Sequence, residues 1–147
     1  MDEKQKTRLR DAIEVTLIPG IGLQTQGRLW ARHRDPSGLF SLKANALEAM
    51  GVSNDAFQAL TSRRYRPMAE EILAWVAREG CGVLLRGEAG YPSLLQEVFD
   101  PPLVLYFRGR PEVAALPCVA MVGTRRPTFY GLQMAEGLAA ESRAISG

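Results

Sequence analysis

At 147 residues the chain has room for one domain or two small ones. Apolar residues make up 46% and charged residues 23%, ordinary for a globular protein, and a net charge of +2 supplies no overall basic field. No stretch approaches the roughly 20 apolar residues that span a bilayer, and the polar start Met1-Asp2-Glu3-Lys4-Gln5-Lys6 leads into no signal-peptide apolar run, so a cytoplasmic location is expected.

Charge does not segregate along the chain. Residues 1–80 hold 12 Lys and Arg against 10 Asp and Glu, and the remainder 6 against 6, so any affinity for nucleic acid comes from local placement. Fifteen of the eighteen basic residues are arginine, which suits phosphate forks and equally fits a compositional bias. Cys81 and Cys118 lie in apolar, strand-like runs without metal-type spacing, and read as buried free thiols. His33 is the single histidine, so no metal site, dyad or triad is built around it; neither a metal nor another cofactor is expected.

From Leu9 the pattern is helical, with Leu9, Ile13 and Leu17 on one face. Pro19-Gly20-Ile21-Gly22 breaks it, a helix from about Leu23 to His33 follows, and Asp35-Pro36-Ser37-Gly38 is a turn. Leu39 to Met50 reads as another short helix. Ser53 is a good N-cap for a helix carrying Phe57 and Leu60, and Met68 to Glu79 reads as a helix with Ile72, Leu73, Trp75 and Val76 inward and Gly80 at its C-terminus. From Cys81 the period changes. Residues 82–86, 103–107 and 119–122 are strand-like, Leu94 to Phe99 reads as a short helix, and a last helix begins near Thr128. The expected boundary falls at Gly80 to Gly82, with residues 1–79 able to fold alone.

Three segments carry chemistry. Cys118 to Val122 reads as a buried parallel strand running into Gly123-Thr124-Arg125-Arg126 and then a helix. Glycine allows close backbone approach, orphan N–H groups and the helix dipole favour an anion, and arginine adds bidentate phosphate recognition. An ordinary loop with solvated arginines is the competing reading. No Gly-x-Gly-x-x-Gly and no Gly-x-x-x-x-Gly-Lys-Ser/Thr is present, so dinucleotide or ATP chemistry has little support. Gly20-Ile21-Gly22 is the second segment, a tight turn whose N–H groups suit a sequence-independent phosphate contact, with Arg28, Arg32 and Arg34 nearby; a plain turn between helices reads equally well. Arg63-Arg64-Tyr65-Arg66 combines charge with an aromatic, as grooves for single strands do, and as solvated helix ends also do. Tyr91-Pro92 and Asp100-Pro101-Pro102 read as rigid turns that set the strands.

Tyr91-Pro92-x-x-Leu95, Asp100-Pro101-Pro102-x-Val104-Leu105-Tyr106-x-x-Gly109 and Val122-Gly123-Thr124-Arg125-x-x-Thr128-x-Tyr130-Gly131 occur in that order. Together they resemble the DNA-processing protein DprA (Smf) family, and Ile18-Pro19-Gly20-Ile21-Gly22 fits it more loosely. The resemblance implies an α/β chain. A helical, helix-hairpin-helix or SAM-like domain at 1–80 precedes an incomplete part of an extended Rossmann-like DNA-binding domain at 81–147. It implies single-stranded DNA as partner, with DNA protection and loading of a RecA-type recombinase in natural transformation, and no catalysis. By matching positions, Gly123, Thr124, Arg125 and Arg126 line the phosphate pocket, and Gly20, Ile21 and Gly22 are a secondary contact.

Relative to the family the chain is expected to be an N-terminal portion, without the surfaces for the recombinase and the homodimer. One edge of 119–122 would then lack a partner, leaving the α/β part loosely folded or self-associating. Two other readings stay open: a nucleotide-processing Rossmann-like enzyme of the phosphoribohydrolase type, and a helix-hairpin-helix interaction module.

Overall fold

The computed structural model describes residues 2–116 and 119–145, with side chains as far as Glu141. Helix α1 (Glu3–Leu17) begins six residues before its apolar stripe does. Asp2 caps it, accepting from the Gln5 N–H at 2.6 Å, and Glu3 complements the dipole in the first turn. Leu9, Ala12, Ile13 and Val15 are buried on its inner side. Helix α2 (Leu23–Arg32) buries Leu29 and Trp30, and a 3-10 turn over Pro36–Ser41 follows. Helix α3 (Ala44–Glu48) is a single turn. Helix α4 (Asn54–Thr61) is capped as expected by Ser53, whose hydroxyl accepts from the Ala56 N–H at 3.3 Å. Helix α5 (Arg66–Arg78) turns Leu73 and Val76 inward and half-buries Ile72, but Trp75 is 45% exposed, contrary to its expected inward place. The unbroken apolar stretch 72–76 is wider than the face one helix can bury, and Ala74 and Trp75 are rotated out.

Three helices end in the same way. One residue takes positive φ, and the N–H of the next returns to the carbonyl five residues before it. Gly51 (φ 85) does this after α3 and Gly80 (φ 63) after α5, as the glycine pattern predicts for Gly80. After α4 the position belongs to Arg63 (φ 54), with Arg63 N–H on Leu60 O and Arg64 N–H on Ala59 O, both at 3.1 Å. A left-handed conformation costs a non-glycine residue about 1–2 kcal/mol, so the arginine is held there by something else.

Strands β1 (Gly82–Leu85) and β2 (Val104–Phe107) form a two-stranded antiparallel sheet, Gly82 opposite Phe107 and Leu85 opposite Val104. Both lie within a residue of their expected ranges. Their antiparallel pairing departs from the parallel arrangement that the Rossmann-like reading entails. Gly87 and Gly90, both at positive φ, turn the chain back directly after β1, and helix α6 (Ser93–Gln96), shorter than the expected 94–99, is the one helix in the connection. The Tyr91 hydroxyl then donates to the Pro102 carbonyl at 2.7 Å and fixes where β2 begins. The two proline turns therefore meet each other, in keeping with their reading as rigid connectors. Cys81, just before β1, is a free thiol and half-buried instead of buried, like Gly82, Val83 and Leu84 after it.

Leu85, Leu103 and Val104 join the same buried cluster as Leu9, Ile13, Leu29, Leu60 and Leu73. The described chain divides into two compact units, and the first ends at Leu116 instead of at residue 80. Residues 1–79 without the strands would leave that core open on one side. Among the described residues, no helix is long and apolar enough to cross a membrane.

The second unit holds an extended segment followed by helix α7 (Phe129–Ile145). Here the structure corrects a central expectation. Cys118 lies outside the described residues, and 119–122 is not a strand: Val119 is 81% and Val122 95% exposed. An extended segment becomes a strand when a neighbour takes up its N–H and C=O groups, and β1 and β2 are the described strands and pair with each other.

Gly82 has no side chain to interpose between β1 and the Phe107 ring, and a methyl group there collides with the ring. Gly82→Ala is expected to lower stability by about 1–3 kcal/mol through overpacking. Thermal denaturation of the two proteins measures this, and an unchanged midpoint would show that Phe107 rotates away at no cost.

Candidate nucleic-acid interface

The hairpin between α1 and α2 is built around one buried side chain. Gly20 takes φ 86, Ile21 turns into the core, and its carbonyl accepts from the buried Gln26 amide at 2.9 Å. Gly22 is the N-cap of α2 and offers no side chain to the orphan N–H groups of the first turn, which open to solvent beside exposed Leu23 and Gln24. Of the candidate trio, Gly20 and Gly22 thus present backbone outward, whereas Ile21 anchors the turn from inside. Arg28 and Arg32 lie one turn apart farther along α2, exposed and without ion pairs among the described residues.

The basic cluster at 63–66 splits. Arg63 points into the protein. Its guanidinium binds Asp11 Oδ1 at 2.5 Å and Glu14 Oε2 at 2.8 Å, and lies 3.6 Å from the centroid of the Phe40 ring. Asp11 also accepts from Arg10 at 3.1 Å and, through Oδ2, from the Ser37 hydroxyl at 2.9 Å. Both carboxylates sit on α1 three residues apart, almost wholly buried. The positive φ of Arg63 is therefore held by ion pairs, and its charge is spent inside. Arg66 pairs with Glu70 at 3.1 Å. Of the three arginines only Arg64 keeps its charge for solvent, and with Tyr65 it lines a cleft of about 430 Å³ whose other walls include Pro19, Asp55 and Gln58. The structure thus brings the end of the basic cluster next to the glycine hairpin, a juxtaposition hidden by the long stretch of sequence between Pro19 and Arg64. Asp55 dilutes the positive field there.

In the second unit Gly123, Thr124, Arg125 and Arg126 are all exposed and precede α7. The Thr124 hydroxyl accepts from the Arg126 N–H at 3.4 Å, closing a short turn that carries Arg125 at its apex. Thr128 caps α7, accepting from the Gly131 N–H at 3.2 Å, and so occupies one of the orphan donors that a phosphate would use. Neither arginine has an acidic partner among the described residues.

The sequence profile of the family described as DNA recombination-mediator protein A matches residues 82–146, a span that takes in both proline turns and the Gly-Thr-Arg-Arg loop. The DNA processing protein DprA of Bacillus subtilis (strain 168) is 30% identical over 112 residues, covering 73% of this chain. The chain is a partial member of the DprA family. The match spans 36% of that relative's own length. No solved structure matches the chain. The glycine hairpin lies outside the profile's span, and the Gly-Thr-Arg-Arg loop lies inside it, with Arg125 and Arg126 as its charged members.

Removing one side of the internal ion network leaves buried charge uncompensated. Arg63→Ala is expected to cost about 3–5 kcal/mol, measured by chemical denaturation; a loss below about 1 kcal/mol would mean that the two carboxylates are compensated without this arginine. Burial pushes the Glu14 carboxyl above its ordinary 4.5, and Arg63 only partly opposes this; Glu14 Oε1 is buried without a hydrogen-bond partner. A raised folded-state pKa means that folding takes up protons, so this contribution is complete below the unfolded value and is lost as pH rises through the folded one. Wild type is therefore expected to lose stability relative to Glu14→Gln as pH rises from 4.5 toward neutrality. Denaturation curves of both proteins across that range measure the difference; a constant gap would show that Glu14 keeps an ordinary pKa.

Proposed function

We propose that this chain binds single-stranded DNA without sequence preference, through phosphate contacts made by the loop Gly123, Thr124, Arg125 and Arg126. The observation that carries this reading is the open, unpaired placement of Arg125 and Arg126 inside the span that matches the recombination-mediator family. Gly123 gives the strand close approach to backbone, the Thr124 hydroxyl and the Arg125 fork take phosphate oxygens, and Arg126 adds charge. The Gly20-Ile21-Gly22 hairpin, with Arg64 and Tyr65 across the cleft, is the secondary contact: N–H groups for phosphate, a ring for a stacked base.

In this reading the protein is a DNA-handling factor and not an enzyme, needs no cofactor, and acts in recombination by protecting a strand; loading of a RecA-type recombinase is a property of the family whose surface this portion is expected to lack. Its helix-hairpin-helix character and cytoplasmic location belong to the same proposal.

Arg125→Ala is expected to weaken single-strand binding by about 1–3 kcal/mol, as loss of a charge-assisted phosphate contact does, with affinity falling steeply as salt rises. Mobility-shift titrations with labelled single strand, duplex and free nucleotide at two salt concentrations read this. Equal affinities of variant and wild type for the single strand would remove the loop from the interface, and preferential binding of free nucleotide would replace the reading with a nucleotide enzyme.

A further inference from the structure

A second cluster of unpaired cations lies in the first unit, away from the glycine hairpin. Trp30 and Arg34, at and just beyond the end of α2, face Arg86 and Gly87 at the turn that leaves β1, and Gln96 of α6 closes the rim of a cleft of about 190 Å³. Two glycines make the approach close. The site of a Gly27 Cβ is 3.5 Å from a terminal nitrogen of Arg86, and that of a Gly87 Cβ is 3.7 Å from one of Arg34. Gly87 has φ 81, so a side chain there is strained as well as crowding. Like charges gathered in one cleft repel unless an anion sits between them.

The acid nearest in sequence is already engaged. Glu88 binds Arg8 at 2.6 Å and accepts from the Leu85 N–H at 3.0 Å through its other oxygen. Arg8 in turn lies 5.6 Å from the Trp30 ring centroid and donates to the Arg34 carbonyl at 3.5 Å. Glu88 thus neutralises Arg8, and among the described residues Arg34 and Arg86 are in no ion pair. Arg86 is half-buried and fixed at its backbone by a 2.9 Å bond from its N–H to the Leu103 carbonyl. A half-buried, backbone-anchored guanidinium without an acid is arranged for a ligand's charge.

We propose that this cleft is a binding pocket for one phosphate group. Arg34 and Arg86 supply the fork donors, Gln96 a neutral donor at the rim, and Trp30 an apolar wall. At roughly 30 Å³ for each water, the volume admits a tetrahedral oxyanion with a few waters. The group's source is a free phosphate ion or one phosphate of a nucleic-acid backbone. The pocket is independent of the Gly-Thr-Arg-Arg loop, which lies in the other unit.

Trp30 is its own reporter. The chain has two tryptophans, and the other, Trp75, is exposed on α5, so Trp75→Phe isolates the Trp30 emission. This protein is titrated with inorganic phosphate and with a single-stranded oligonucleotide, each against sodium chloride at matched ionic strength. A saturable change in emission beyond the chloride control is expected. Arg34→Gln with Arg86→Gln should weaken it by about tenfold or more, the effect of losing charge-assisted bonds. Gln96→Glu, on an exposed side chain that leaves both arginines in place, should do the same by putting a carboxylate at the rim, and so keeps the test open if the double variant fails to fold. A response to inorganic phosphate assigns the pocket to any phosphate; a response to the oligonucleotide alone assigns it to a strand's backbone. No saturable response to either probe, or a response that Gln96→Glu leaves unchanged, would overturn the proposal.

Discussion

The helical part of the molecule turns on one guanidinium. Arg63 satisfies two carboxylates buried on α1, stacks on Phe40 of the 3-10 turn, and occupies the left-handed position that ends α4. A buried ion pair gives little net stability over an apolar replacement, because desolvation offsets most of the attraction. Its effect is to exclude alternatives: Asp11 and Glu14 cannot be buried anywhere this arginine does not reach. With the α4–α5 link fixed in that orientation, Arg64 and Tyr65 are turned toward Pro19 and the glycine hairpin. One charge held inside thus determines which charge is left outside.

The two units divide the chemistry unequally. The first is a closed core in which nearly every polar side chain that faces inward has a partner, and Arg34, Arg64 and Arg86 line clefts at its surface. The second carries the four loop residues of the family match on an extended segment and one long helix, with Phe129 and Tyr130 among its exposed apolar side chains. A loop of that kind grips phosphate by charge and backbone reach, without a preformed cavity. On the proposed reading, selectivity for single strands would rest on flexibility and stacking of the strand itself.

Helix positions were largely legible in the sequence because caps are local. Ser53, Gly80 and the Pro-Gly-x-Gly break specify ends through bonds that span a few residues. The beginning of α1 was not, since the polar residues ahead of Leu9 have no apolar period and only Asp2 marks the start. Trp75 shows the limit of apolar periodicity: it reports a face without saying how wide the neighbour is. Arg63 shows the limit of charge clustering. Its partners lie 49 and 52 residues away in sequence, so nothing nearby distinguishes it from Arg64. The strand expected at 119–122 has the right composition, and composition specifies a strand only when another segment supplies the ladder. The loop's residues were found from their order in sequence, and their exposure follows from the absence of that ladder.

The bond from the Tyr91 hydroxyl to the Pro102 carbonyl closes the neck of the segment between the two strands. Above that neck, Leu94, Glu97, Val98 and Phe99 face solvent, Phe99 at 87% exposure, and contribute nothing to the buried cluster. The geometry of the sheet is set at the neck and the tip is free to differ, so its length and composition are decoupled from folding. That makes the stretch around Val98 and Phe99 a natural attachment point for a fluorophore or an affinity tag.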